Sequence, residues 1–171
     1  IDAGKIRYAG VSNFTVEQMK RLQPNGKIAS LPPPYSMLRP AIEDAQMPFC
    51  HENDIGIVAY SPMLSGMLTG KVSHERVERM DDSDWRKGSK EWTEPHLSKN
   101  IEFVENTLRP IADKYNVEPA QIAIAWTLRS DKITSAIVGA RNEAQAQANA
   151  RAAEIELDNA CAIRRIGKLQ I

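Results

Sequence analysis

Cysteine, aromatic side chains and surplus charge are all scarce in this 171-residue chain. The two cysteines, Cys50 and Cys161, stand far apart and match no metal-ligand spacing, which argues against a disulfide framework and for reduced thiols in a cytoplasmic protein. The three histidines, His51, His74 and His96, form no metal pattern and read as surface residues, so no metal is expected. Lys+Arg and Asp+Glu both number 22, a net charge of zero in which nothing suggests a nucleic-acid or anionic-membrane partner. No apolar run approaches the roughly 20 residues of a membrane span, and the opening "IDAGKIRYAG" is no signal peptide. Tandem repeats and low-complexity tracts are missing too. The length suits one ordinary domain with a sizeable core.

Strand-like and helix-like stretches alternate. "IRYAGVSN" (6–13) is a mostly apolar run ending in small polar residues, as expected of a buried strand whose C-terminal end meets a ligand. Thr15 and Gln18 form a capping-box pattern, with Val16, Met19 and Leu22 on one helical face. "KIASL" is a second, weaker strand, cut short by Pro32, Pro33 and Pro34. Residues 41–53 read as helix, with Pro48 forcing a kink or an early end. "GIVAYSPM" (56–63) is a strong third strand. Residues 64–97 are polar, charged and weakly periodic, which predicts a functional loop. Ser98 is placed to cap a helix carrying Ile101, Val104, Leu108 and Ile111 on one face. Pro119 fits the first turn of another helix, "AQIAIAWTL", apolar nearly all round and therefore buried. "ITSAIVG" is the fourth strand, and Asn142 can cap the helix after it.

Strand followed by helix, four times, implies a parallel sheet with helical crossovers. An open doubly wound sheet and a (β/α)8 barrel both have that order, and the missing Gly-x-Gly-x-x-Gly after the first strand counts against the dinucleotide-binding open sheet. Each strand ends in small or polar residues: Ser12-Asn13, Pro34-Tyr35-Ser36, Tyr60-Ser61-Pro62 and Gly139-Ala140-Arg141. C-terminal strand ends form the ligand face of parallel α/β proteins.

"SGMLTGKV" (65–72) is not a phosphate loop of the Gly-x-x-x-x-Gly-Lys-Ser/Thr kind. Its glycines are one residue too close, and Val72 follows Lys71. It can still expose backbone N–H groups to a phosphate. At "IVGARNEAQAQAN", Gly139 allows close backbone approach, the following helix offers free N–H groups, and Arg141 adds a planar donor fork suited to phosphate. Gln145 and Asn149 share one face of that helix and can hydrogen-bond a purine or ribose edge, although a solvated polar surface reads the same way.

"GKIRYAGVSNF", "YSPMLSGMLTGK" and "IVGARNEAQAQAN", in that order, resemble three signature segments of the aldo-keto reductase family. "PPYSML", "RPIADKYNVEPAQIAIAW" and "DDSDWRKGSKEW" fit as well, so the likeness covers nearly the whole chain. It is nearest to bacterial members of the branch that includes potassium-channel β subunits. The resemblance implies a (β/α)8 TIM barrel, of which this chain matches strands five to eight, the C-terminal half, as one domain over 1–171. It implies hydride transfer between NADP(H) and aldehydes or ketones. It assigns Ser12 and Asn13 to the nicotinamide carboxamide and Tyr60 to a stack on the nicotinamide ring. Ser61, Met63, Ser65, Gly66, Leu68 and Lys71 would line the pyrophosphate. Gly139 and Arg141 would bind the adenosine 2′-phosphate, and Gln145 and Asn149 the adenine.

Two departures stand out. Pro32 occupies the place of the family's usual Gln before Pro-Tyr-Ser, and proline has no side-chain donor. The family's catalytic Asp, Tyr, Lys and His lie on its first four strands, so none of those roles transfers here, and neither Tyr8, Tyr35 nor Tyr60 sits in the proton donor's motif. The chain therefore reads as the cofactor-binding half of a reductase, a fragment or a truncated gene product, with a non-catalytic NADP-binding or interaction module as the alternative. Its open sheet edges lead one to expect self-association or pairing with an N-terminal half-barrel.

Overall fold

Four parallel strands lie side by side in chain order: β1 (Ala9–Gly10), β2 (Ile28–Leu31), β3 (Gly56–Tyr60) and β4 (Ser135–Ile137). The computed structural model describes residues 1–158; Cys161, one of the two thiols read above, lies outside them. Ser30 pairs with Gly56, and Tyr60 with Ile137. Parallel neighbours need a long crossover, and each crossover here contains helix. On β3 the pleat separates two faces. Ile57 and Ala59 are buried in the core with Ile122, Ala123 and Trp126, whereas Gly56, Val58 and Tyr60 are half-exposed.

The helices are α1 (Val16–Leu22), α2 (Gln46–Glu52), α3 (His74–Glu78), α4 (His96–Phe103), α5 (Arg109–Lys114), α6 (Pro119–Leu128) and α7 (Glu143–Arg151). Capping chemistry sets several of their starts. The Gln18 N–H donates to Thr15 Oγ1 at 3.3 Å while the Thr15 N–H donates to Gln18 Oε1 at 2.8 Å, a complete capping box. Glu118 and Gln121 form a second one at α6, with Pro119 in the first turn. All of α6 but Ala120 and Leu128 is buried, and its Trp126 and Ile122 are wholly inaccessible.

Several expectations need correction. The first strand is not a buried run over 6–13. Only Ala9 and Gly10 pair, both exposed, and the register slips between them. With a neighbour on one side only, the run leaves Ile6 and Tyr8 53% and 77% exposed. Pro48 neither kinks nor ends its helix, because α2 begins at Gln46 and Pro48 falls in the first turn, where a missing N–H goes unnoticed. Ser98 lies inside α4 instead of capping it; the Glu94 carboxylate takes that part, accepting from the Ser98 N–H at 3.3 Å and hydroxyl at 2.8 Å. The helix running on from α4 passes through a π turn at Val104–Leu108, beside Pro110, which has no N–H to donate backwards. The 64–97 stretch holds a 3-10 segment (Leu64–Thr69), α3 and two further 3-10 turns.

One ion pair is nearly dry. Arg129, with its side chain 5% exposed, donates to Glu43 Oε1 at 2.5 Å and to the Tyr35 hydroxyl at 2.7 Å, while its guanidinium lies 3.5 Å from the Trp126 ring centroid. Tyr35 in turn donates to Glu43 Oε1 at 2.6 Å. The backbone of Tyr35 holds the end of β3: its N–H donates to the Tyr60 carbonyl at 3.0 Å, and the Tyr60 N–H donates to the Pro33 carbonyl at 3.0 Å.

Candidate functional site

The chain leaving β3 turns sharply. Ser61, Leu64 and Ser65 adopt left-handed backbone at φ of 57°, 48° and 56°. Such a conformation costs a non-glycine residue roughly 1–2 kcal/mol, strain of the kind ligand-binding loops carry. The turn closes at Gly70, φ 72°, where a Cβ would stand 2.9 Å from Pro119 Cγ and 3.0 Å from Arg109 Nη2. Two guanidiniums pin this corner. Arg109 Nη2 donates to the Gly70 carbonyl and Arg76 Nη1 to the Lys71 carbonyl, both at 2.9 Å.

The opposite wall is the corner between β4 and α7. Asn142 Oδ1 caps the helix by accepting the Gln145 N–H at 3.0 Å. Gln145 Oε1 accepts the Arg141 N–H at 2.8 Å, and Asn149 Nδ2 donates to the Gly139 carbonyl at 3.2 Å. The helix's own side chains thus occupy N–H groups that were expected to be free for an anion. Beside the first-turn N–H groups of Glu143 and Ala144, the corner offers an anion the exposed Arg141 guanidinium. Gln145 and Asn149 keep an amide nitrogen and a carbonyl oxygen, respectively, for a further partner.

A groove of about 600 Å³ runs between these walls, within the size range of cofactor sites. Tyr60, Ser61, Met63, Ser65, Gly66 and Lys71 line one side, and Gly139, Arg141, Gln145 and Asn149 the other. Ser12 and Asn13 do not line the groove; Asn13 is joined to it through Tyr60. The Tyr60 hydroxyl donates to Asn13 Oδ1 at 3.0 Å. Pro32, which lacks the side-chain amide expected there, contributes its carbonyl instead: it accepts the Asn13 N–H at 3.2 Å and the Ser12 hydroxyl at 3.3 Å. Leu68 is different. Its side chain is fully buried and its N–H donates to the Met63 carbonyl at 3.1 Å, so it packs the core beneath the loop. The Gly66 N–H is also spoken for by Met63, at 3.0 Å.

Sequence reasoning missed Arg76, Arg86 and Trp92, which the 74–96 segment brings to the groove. The three arginines of that segment, Arg76, Arg79 and Arg86, were the available signal. Asp84 grips Arg86 through Nε at 2.9 Å and Nη2 at 2.5 Å, and Arg86 lies over the Trp92 ring at 5.0 Å. The Arg86 hydrogen bonds, from side chain and then backbone, draw the Asp84 carboxyl down to about 2, with the Arg141 charge adding. The groove is therefore bordered by Lys71, Arg76, Arg86 and Arg141, against the single carboxylate of Glu118. Among the described residues no cluster of His, Cys, Asp or Glu could hold a metal, and no helix is long and apolar enough to cross a membrane. The arrangement suits an elongated polyanion with a flat ring at the Tyr60 end.

The profile of the Aldo/keto reductase family matches residues 1–168. The chain is 28% identical over 158 residues to the NADH-specific methylglyoxal reductase of Escherichia coli, covering 92% of this chain and 47% of that one. It is 28% identical over 163 residues to the aldo-keto reductase yakc [NADP(+)] of Schizosaccharomyces pombe, covering 94% and 47%. Its fold superposes on the glycerol dehydrogenase AKR11B4 of Gluconobacter oxydans with a TM-score of 0.85 at 26% identity, over 96% of this chain and 50% of that structure. The chain thus spans about half the length of the relatives it matches. Parallel strand-helix units of TIM-barrel type, carrying these motifs over nearly their whole length, place the chain in the aldo/keto reductase family.

Proposed function

We propose that this chain binds NADP(H) in the groove and serves the reduction of aldehydes or ketones, as the C-terminal, cofactor-binding half of a (β/α)8 barrel. The observation that carries the reading is a single groove lined both by an aromatic ring, Tyr60, and by a guanidinium, Arg141, that makes no hydrogen bond or ion pair among the described residues. The nicotinamide of the bound cofactor supplies the hydride. The chain's residues position it. Asn13 Oδ1 is engaged by Tyr60, which leaves Asn13 Nδ2 to donate to the carboxamide oxygen. The Ser12 hydroxyl gives its proton to Pro32, which leaves its lone pairs for the carboxamide N–H. Tyr60 stacks on the ring and fixes which face is presented. Lys71 answers the pyrophosphate charge, and Arg141 answers the 2′-phosphate with a planar fork. Relatives of both cofactor preferences exist, and Arg141 favours the phosphorylated one.

Tyr8, Tyr35 and Tyr60 supply no proton donor on this reading. Tyr8 stands exposed beside β1, and the Tyr60 hydroxyl is spent on Asn13. The Tyr35 phenol is locked to Glu43, and burial, then that hydrogen bond, push it far above the usual tyrosine range. The Asp-Tyr-Lys-His set would come from a complementary half-barrel.

The test mixes the purified chain with the N-terminal four strand-helix units of a family member and follows NADPH oxidation with an aldehyde. The proposal expects turnover from the mixture and none from the chain alone. Turnover by the chain alone, or NADPH failing to bind it in either setting, would overturn the reading.

A further inference from the structure

A second cleft, of about 350 Å³, opens beside the groove, and Arg76, Arg86 and Arg141 border both spaces. Ser73, Glu75 and Arg79 complete much of its wall. The three arginines of the 74–96 segment use their charge differently. Arg79 is paired with Glu75 at 2.6 Å. Arg86 is paired with Asp84 through two nitrogens and lies over Trp92. Arg76 makes no ion pair among the described residues; its guanidinium donates through Nη1 to the Lys71 carbonyl. A guanidinium has five N–H donors, so most of the Arg76 fork is uncommitted at the border shared with Arg141.

Arg76 and Arg141 line the same cleft, neither in an ion pair among the described residues, and an anion entering between two guanidiniums is attracted by both, which favours a ligand carrying a phosphate there. We propose that Arg76 is a second determinant of cofactor choice, holding the 2′-phosphate together with Arg141. This rests on the cofactor reading above and extends it to the 74–96 segment. Through its bond to the Lys71 carbonyl, Arg76 joins the proposed pyrophosphate corner to the proposed 2′-phosphate corner.

Adenosine 2′,5′-bisphosphate and adenosine 5′-monophosphate differ only in the phosphate at issue. Both are titrated by calorimetry into the native protein and into Arg76→Ala, Arg79→Ala and Arg141→Ala. Arg76→Ala is expected to weaken the bisphosphate about tenfold, the scale of one hydrogen bond between charged groups, and to leave the monophosphate within about twofold. Arg79→Ala, whose charge is already met by Glu75, should leave both within about twofold. Equal weakening of the two nucleotides by Arg76→Ala, or no weakening of either, overturns the inference. If Arg141→Ala alone abolishes the preference for the bisphosphate, the cofactor reading stands and the role of Arg76 falls. If the native protein binds neither nucleotide, both fall.

Discussion

The Tyr60 hydroxyl donates to Asn13 Oδ1 at 3.0 Å, tying the last residue of β3 to the turn that follows β1. Asn13 holds left-handed backbone, φ 59°, so its side chain is fixed from both directions. Asn13→Ala removes the amide proposed to meet the carboxamide and frees the Tyr60 hydroxyl. NADPH affinity should fall about tenfold, one hydrogen bond to a well-placed partner, while affinity for adenosine 2′,5′-bisphosphate is unchanged. Fluorescence titration of the two ligands separates them; an equal loss for both would mean that Asn13 serves the fold and not the nicotinamide.

Arg129 and Glu43 form a pair whose arginine side chain is 5% exposed. Removing one partner of such a pair strands the other charge. Arg129→Met should lower unfolding stability by about 3 kcal/mol, measured by urea denaturation. A loss below about 1 kcal/mol would place the pair with exposed salt bridges.

The Tyr35 phenol, buried and donating to Glu43, titrates above the tyrosine of an unfolded chain. The unfolded state therefore releases its proton first as pH rises. Stability from this group is full below pH ~10 and declines above it, toward the folded-state value. Tyr35→Phe should remove that alkaline limb from the pH–stability curve; an unchanged limb would assign it to another group.

Several helix starts were legible in the sequence because capping acts within four residues of its own position, although Pro48 and Ser98 were misread and the Glu118–Gln121 box was missed. Thr15 with Gln18, Pro119 at its helix start and Asn142 before α7 all stand where local chemistry puts them. Strand extent was not legible. Residues 6–13 have the composition of a buried strand, but the ladder with β2 is only Ala9 and Gly10 long, followed by single bonds from the Val11 and Asn13 N–H groups to the Ser30 and Pro32 carbonyls. The groove residues could be named from motifs, yet Leu68 shows the limit: a residue within a binding motif can face the core. The Arg129–Glu43 pair spans 86 positions and has no local signature at all.

The downstream end of the 74–96 segment is anchored, with Asn100 Nδ2 donating to the Glu91 carbonyl at 3.0 Å and Arg39 paired with the Glu91 carboxylate. The upstream part, through Arg86, carries the cations that face the groove. Limited proteolysis of the ligand-free protein should cut within 74–88 first, and saturating NADPH should slow that cut. Cleavage at the same rate with and without NADPH would make the segment an ordinary surface loop.

Cys50 is fully buried, and burial pushes its thiol up to about 11. In a Cys161→Ser variant, a disulfide exchange reagent at about pH 8 should leave the native protein untouched and react stoichiometrically once it is unfolded, because only the thiolate attacks. Rapid native-state reaction would show that the core opens at α2.

The proposal at the centre is that the groove between the loop after β3 and the β4–α7 corner selects NADP(H) through Arg141, whose exposed guanidinium makes no ion pair among the described residues. Parallel fluorescence titrations of NADPH and NADH into the native protein and into Arg141→Ala test it most directly. The account predicts a loss of about 1.5–3 kcal/mol for NADPH in the variant, the worth of a hydrogen bond to a charged group, with NADH little changed. Equal losses for the two cofactors, or none for either, would contradict it.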